Sequence, residues 1–158
     1  MCAYVTYIHP IPRPQKKEYD MTHIHLFIPG QPARVTEQQH RYGGRKKNGQ
    51  VVVYRDSRLS AARAELMEYL WKEAPKEPIT GPVRIEVCYT FGTKNKRFAG
   101  MPKTTKPDTD NLIKGLKDCM TEAGFWLDDA QVYREIIAKF WSVPENAGIE
   151  ITVYGGDS

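Results

Sequence analysis

Apolar and polar residues alternate most regularly over 83–91, where Val83, Ile85, Val87, Tyr89 and Phe91 are separated by Arg84, Glu86, Cys88 and Thr90. A period of two is that of a β-strand with one face buried. The stretches 132–141 and 149–154 read as a closing pair of strands joined through Pro144-Glu145-Asn146. MTHIHLFIPGQP, from Met21, predicts a strand ended by Pro29-Gly30, and VVVY at 51–54 a short apolar one. Elsewhere the period lengthens. After Asp56-Ser57, a capping pair, Leu59, Ala62, Leu66 and Leu70 recur at helical spacing with Met67 and Trp71 beside them, until Pro75 and Pro78. A second helix is predicted from Asp108 or Thr109 to Glu122, burying Leu112, Leu116 and Met120 and stopping at Gly124. About five strands and two main helices without an internal repeat predict an α+β fold, a small mixed sheet in one domain over 21–158. Residues 1–20, with Pro10, Pro12 and Pro14, read as an extended leader outside that fold. Met21 is the expected natural start, and removing the leader is expected to preserve solubility and activity.

Composition narrows the picture only slightly. A chain of 158 residues with 41% hydrophobic content suits one core. An excess of 23 Lys+Arg over 19 Asp+Glu permits a polyanionic partner without requiring one. Cys2, Cys88 and Cys119 are odd in number and lack CxxC spacing, which argues against a disulfide framework or structural zinc and for a reducing cytoplasm. His23 and His25 alternate on a strand, and with His9 and His40 they do not point to a histidine metal site. No run reaches the apolar length of a membrane span, so a soluble cytoplasmic protein is expected.

Charge distribution says more than its sum. Residues 92–107 carry Lys94, Lys96, Arg97, Lys103 and Lys106 and no acid; residues 38–50 carry Arg41, Arg45, Lys46 and Lys47, again with none. Either run is a solvated loop or a phosphate-binding surface. Tyr42 and Phe98 offer rings for stacking unpaired bases, or anchors for their loops.

The first basic run leads directly into KPDTDNLIK, with Asp108 and Asp110 one residue apart. Pro107 keeps Lys106 extended and puts Asp108 at or just before the first helical turn. Asp110, Lys114 and Asp118 then stack along one face. A second acidic pair, Asp128-Asp129, follows in GFWLDDAQV, where Phe125, Trp126 and Leu127 are expected to pin the loop to the core. Carboxylates converging on one end of the domain suit a hard divalent cation, Mg²⁺ above all. The structural alternatives are a helix start that favours acids, a solvated turn, and Lys114 as a plain intrahelical partner. An EF-hand loop would need an oxygen ligand where Leu112 stands, and an aspartyl-phosphate site would need an apolar strand where Lys103-Thr104-Thr105-Lys106-Pro107 stand.

KPDTDNLIKGLKD followed by GFWLDDAQV closely resembles the signature of RusA-type Holliday junction resolvases, endonucleases of phages and prophages. IPGQP resembles that family's opening, whereas VTEQQHRYGG departs from its Lys/Arg-rich continuation. The resemblance spans 23–154 and is most specific over 106–139. It implies a homodimeric, Mg²⁺-dependent endonuclease, with Mn²⁺ expected to substitute, that cuts four-way DNA junctions by paired symmetric nicks. Carried over to this chain, the catalytic acids and metal ligands are Asp108, Asp110 and Asp129, and the active-site lysine is Lys114. Asp118 and Asp128 match supporting acids, and Lys139 matches a phosphate contact. A bacterial or phage origin follows from the same resemblance. Two rivals stand beside it. A junction-binding module without catalysis has little use for so many acids near DNA, and a nucleotide phosphohydrolase would show a small preformed pocket instead of an open basic surface.

Overall fold

The computed structural model describes residues 21–33, 46–47, 50–51 and 57–156 of the chain. Its elements are β1 (Met21–Pro29), β2 (Lys46–Lys47), β3 (Gln50–Val51), α1 (Ser57–Glu73), β4 (Val83–Gly92), α2 (Thr109–Ala123), β5 (Val132–Ser142) and β6 (Gly148–Gly156). Four strands form the main sheet in the order β1-β6-β4-β5, and among the described residues β2 pairs with β3 alone. The leader 1–20 lies outside the described residues.

β4 behaves as its alternation requires. Its odd-numbered residues are buried and its even-numbered ones half-buried along the whole strand. Val83, Ile85, Val87, Tyr89 and Phe91 share one core cluster with Met67 and Leu70 of α1 and with Leu112, Ile113, Leu116, Cys119 and Met120 of α2. Both helices therefore cover one face of the sheet, and the fold is α+β in two layers. Each large apolar side chain so buried contributes about 1.5–3 kcal/mol. Arg63 joins the helices through its guanidinium, which donates to Glu122 at 2.6 Å and to the Cys119 sulfur at 2.8 Å. No described helix is long and apolar enough to cross a membrane.

Two expectations about the sheet need correction. The sheet has four strands, not five: Gln50 and Val51 pair with Lys47 and Lys46, separate from the main sheet, and 52–54 lie outside the described residues. Nor do β5 and β6 pair with each other. β4 runs between them, parallel to β5 and antiparallel to β6. A two-residue turn would have forced direct pairing. The longer link through the 3₁₀ turn Pro144–Asn146 instead spans two inter-strand spacings, about 10 Å.

Parallel neighbours need a crossover, and α2 supplies it between β4 and β5. Gly124 ends that helix in the left-handed region at φ 88°, its N–H reaching the carbonyls of Met120 and Thr121. A Cβ at this position would meet nothing within 4 Å, so the cost of adding one is purely conformational. Gly124→Ala should lower stability by about 1 kcal/mol, read as a reduced urea midpoint with an unchanged slope.

Candidate metal and DNA site

The basic connection between β4 and α2 is built onto the sheet edge. A 3₁₀ turn over Lys96–Phe98 is capped by Asn95, whose side chain accepts from the Arg97 N–H. The chain then pairs with β5: Gly100 N–H donates to Trp141 O, Trp141 N–H to Met101 O, and Lys103 N–H to Lys139 O, at 2.8–2.9 Å. Residues 100–103 thereby cover the C-terminal half of an edge strand that would otherwise be open. The following turn, which includes a cis Lys106-Pro107 bond, delivers Asp108 to the start of α2.

Asp108 is the N-cap of α2 by backbone conformation, yet its carboxylate makes no capping hydrogen bond. Asp110 lies in the first turn. Both are exposed, and neither enters an ion pair among the described residues. Two uncommitted carboxylates thus stand where unpaired backbone N–H groups and the helix dipole favour negative charge. Beside them, the buried Oδ1 of Asn111 has no hydrogen-bond partner. Lys114 and Asp118 follow on the same exposed face, as their spacing requires. Lys114 forms no ion pair among the described residues, whereas its neighbour Lys117 is held by Glu135. Tyr89, buried beneath this turn, donates to the Leu112 carbonyl at 3.2 Å. Burial, with a smaller contribution from Cys119, pushes its hydroxyl far above the usual range, so it remains a donor.

The second acidic pair is elsewhere. Asp128 caps the 3₁₀ turn Asp129–Gln131, its carboxylate accepting from Ala130 N–H at 2.8 Å while Gln131 Oε1 accepts from the N–H of Asp128. Gln131 Nε2 fixes the turn by donating to the carbonyls of Ile79 and Gly81. Phe125 and Trp126 are buried as expected, but Leu127 is 64% exposed and pins nothing. This turn opens β5, where Val132 stands opposite Val83 at the start of β4. Asp108 lies at the other end, near Lys139, which is opposite Tyr89. Thirteen residues of α2, Asn111 to Ala123, lie between the pairs, about 20 Å at 1.5 Å per residue. The seven residues from Val132 to Lys139 span about 23 Å along β5 by the strand rise. The expectation that all these acids converge on one end of the domain is not met. Among the described residues, no three His, Cys, Asp or Glu side chains are grouped to hold a metal ion. The physical reason is the crossover itself, because α2 must traverse the sheet between the two motifs.

The predicted phosphate contacts also divide. Lys94, Lys96, Arg97 and Lys106 are exposed near the Asp108 end, and Phe98 is half-exposed, tilted against Trp141. Lys103 is not available to DNA: only 5% exposed, it is the one buried charged residue among those described. Lys139 is half-buried, its ammonium donating to the carbonyls of Thr105 at 3.0 Å and Pro107 at 2.7 Å. Lys46 and Lys47 form β2, while Arg41, Tyr42 and Arg45 lie outside the described residues. Sequence reasoning missed the structural use of Lys103 because nothing in its neighbourhood distinguishes it from Lys94 or Lys96; only the pairing of 100–103 with β5 turns it inward.

Comparison with known proteins agrees with the motif. The family described as Endodeoxyribonuclease RusA matches residues 29–154. A crossover junction endodeoxyribonuclease rusA of Lactococcus phage r1t is 32% identical over 116 residues, covering 72% of this chain and 87% of the relative. The protein of the same name from Enterobacteria phage 82 is 27% identical over 134 residues, 84% of this chain and 95% of its own. A shorter match, 43% identical over 53 residues, joins 34% of this chain to 43% of the Escherichia coli K12 crossover junction endodeoxyribonuclease RusA. With most of its length matched by that family, the chain belongs to the RusA endodeoxyribonucleases.

Proposed function

We propose that this protein is a metal-dependent, structure-specific endodeoxyribonuclease that resolves four-way DNA junctions by paired symmetric nicks. The observation that carries the reading is the uncommitted pair Asp108 and Asp110 at the positive end of α2, bordered by exposed Lys94, Lys96, Arg97 and Lys106. Hard carboxylate oxygens match Mg²⁺, with Mn²⁺ as a substitute. Bound there, the ion supplies Lewis-acid stabilisation for phosphodiester hydrolysis.

Asp108, Asp110 and Asp129 are the proposed ligands. One protomer cannot bring them together, since about 20 Å of α2 stands between the two motifs. A second copy can, and this makes the homodimer part of the site. Apolar surface favours that placement: Leu127 at 64% and Tyr133 at 65% exposure flank the Asp129 turn. In a two-fold dimer each site takes Asp108 and Asp110 from one copy and Asp129 from the other, and the pair of sites matches the two opposed strands of a junction.

The chain's own groups divide the remaining work. Exposed lysines and Arg97 hold phosphates, a sequence-independent contribution that weakens with salt. Lys114, one turn beyond Asp110, offsets carboxylate repulsion and stabilises negative charge developing on the attacked phosphate. Asp128, committed to its cap, fixes the backbone of Asp129. Asp118 continues the acidic face one turn further. Junction choice rests on DNA shape and deformability.

Incubating a synthetic four-way junction and a matching linear duplex, each with Mg²⁺ and with chelator, tests the reading. The expected result is symmetric cutting of the junction in Mg²⁺ alone. Equal cutting of the duplex, or cutting in chelator, would refute it.

A further inference from the structure

We propose that Lys103 and Lys139 are positioning residues for the Asp108–Asp110 pair, two ammonium groups that clamp the backbone of the turn presenting it. The inference rests on the reading of those aspartates as metal ligands and adds residues that act on them through the main chain.

Burying an ammonium is costly unless every proton finds an acceptor. The Lys103 ammonium has three protons to donate, and among the described residues three oxygens accept from it: the carbonyl of Thr105 at 2.8 Å, its hydroxyl at 2.7 Å, and the carbonyl of Lys106. The rings of Phe91 and Trp141 also lie against it, 4.9 and 4.8 Å from Nζ. Lys139 approaches the same segment from β5 and takes the carbonyls of Thr105 and Pro107. Three consecutive carbonyls, 105 to 107, therefore accept from lysine ammonium groups directly before Asp108. The main-chain bond from Lys103 N–H to Lys139 O locks the two lysines to each other.

Such an arrangement has a mechanical consequence. The turn loses the freedom it would have as an unclamped loop, so Asp108 and Asp110 are held in place before a metal arrives. A surface lysine binding phosphate would not do this.

The test compares Lys103→Met, Lys139→Met, Lys96→Met and Asp110→Asn in the full chain, with folding checked by circular dichroism. Mn²⁺ affinity is measured without DNA from the loss of the free-ion paramagnetic resonance signal. Junction affinity in chelator is measured across a salt series. Lys103→Met and Lys139→Met should weaken Mn²⁺ binding about ten-fold or more, with junction affinity and its salt slope unchanged and cleavage recovering as Mn²⁺ is raised. Lys96→Met should do the reverse, lowering junction affinity and its salt slope at normal Mn²⁺ affinity. If Lys103→Met does not fold, the half-buried Lys139→Met decides by the same measurements. Normal Mn²⁺ affinity in the folded lysine variants, or a reduced salt slope in Lys103→Met, overturns the clamp. Should Asp110→Asn keep both Mn²⁺ binding and cleavage, the metal-site reading itself fails; loss in that variant with normal lysine variants sinks the clamp alone.

Discussion

Asp110→Asn should reduce junction cleavage by about 10³-fold while leaving junction binding in chelator intact, because metal stabilisation of the transition state is worth several kcal/mol. The substitution is nearly isosteric and sits on an exposed position of the first turn. Losing one charge there removes about 0.3–1 kcal/mol of favourable dipole interaction, partly returned by relief of repulsion from Asp108. The fold therefore survives a change that disables chemistry. Single-turnover cleavage of a labelled four-way junction, alongside a mobility-shift titration in chelator, separates the two effects. Near-normal nicking by the variant would rule out Asp110 as a ligand.

Mixing two inactive variants should restore activity. If Asp129 acts on the Asp108–Asp110 pair of the other copy, a dimer of Asp110→Asn with Asp129→Asn holds one site with both lesions and one with none. After subunit exchange, half of the dimers are mixed, so about one quarter of all sites should be intact. Each mixed dimer can cut one strand only, so its product is a nicked junction instead of a pair of linear duplexes. The distinction is visible by comparing denaturing and native gels. A site built within one protomer predicts no recovery at any mixing ratio. Failure to complement, with subunit exchange demonstrated, would therefore remove the shared-site arrangement while leaving Asp110 itself untouched.

Local periodicity made most elements legible. The strand at 83–91 and the helix stopping at Gly124 were readable because their side-chain periods, two and 3.6, follow directly from backbone geometry. β4 shows the expected alternation, and α2 buries Leu112, Leu116 and Met120. Strand neighbours were not readable in the same way. Nothing local in 132–141 or 149–154 records that β4 inserts between them, since pairing across the sheet is a property of the whole core.

The chemistry divides along the same line. KPDTDNLIK by itself determined that two carboxylates stand at the start of a helix, because Pro107, the acidic pair and the apolar spacing that follows are all local signals. GFWLDDAQV likewise determined an ordered acidic turn before a strand. Only the tertiary structure decided that α2 carries these motifs to opposite ends of the protomer, since a parallel β4–β5 pair requires the crossover to run the length of the sheet. Only the tertiary structure separated Lys103 from the lysines around it. A charge is the same letter in a loop or in a core; what differs is whether pairing with β5 turns it toward water or toward Phe91, Trp141 and three waiting oxygens.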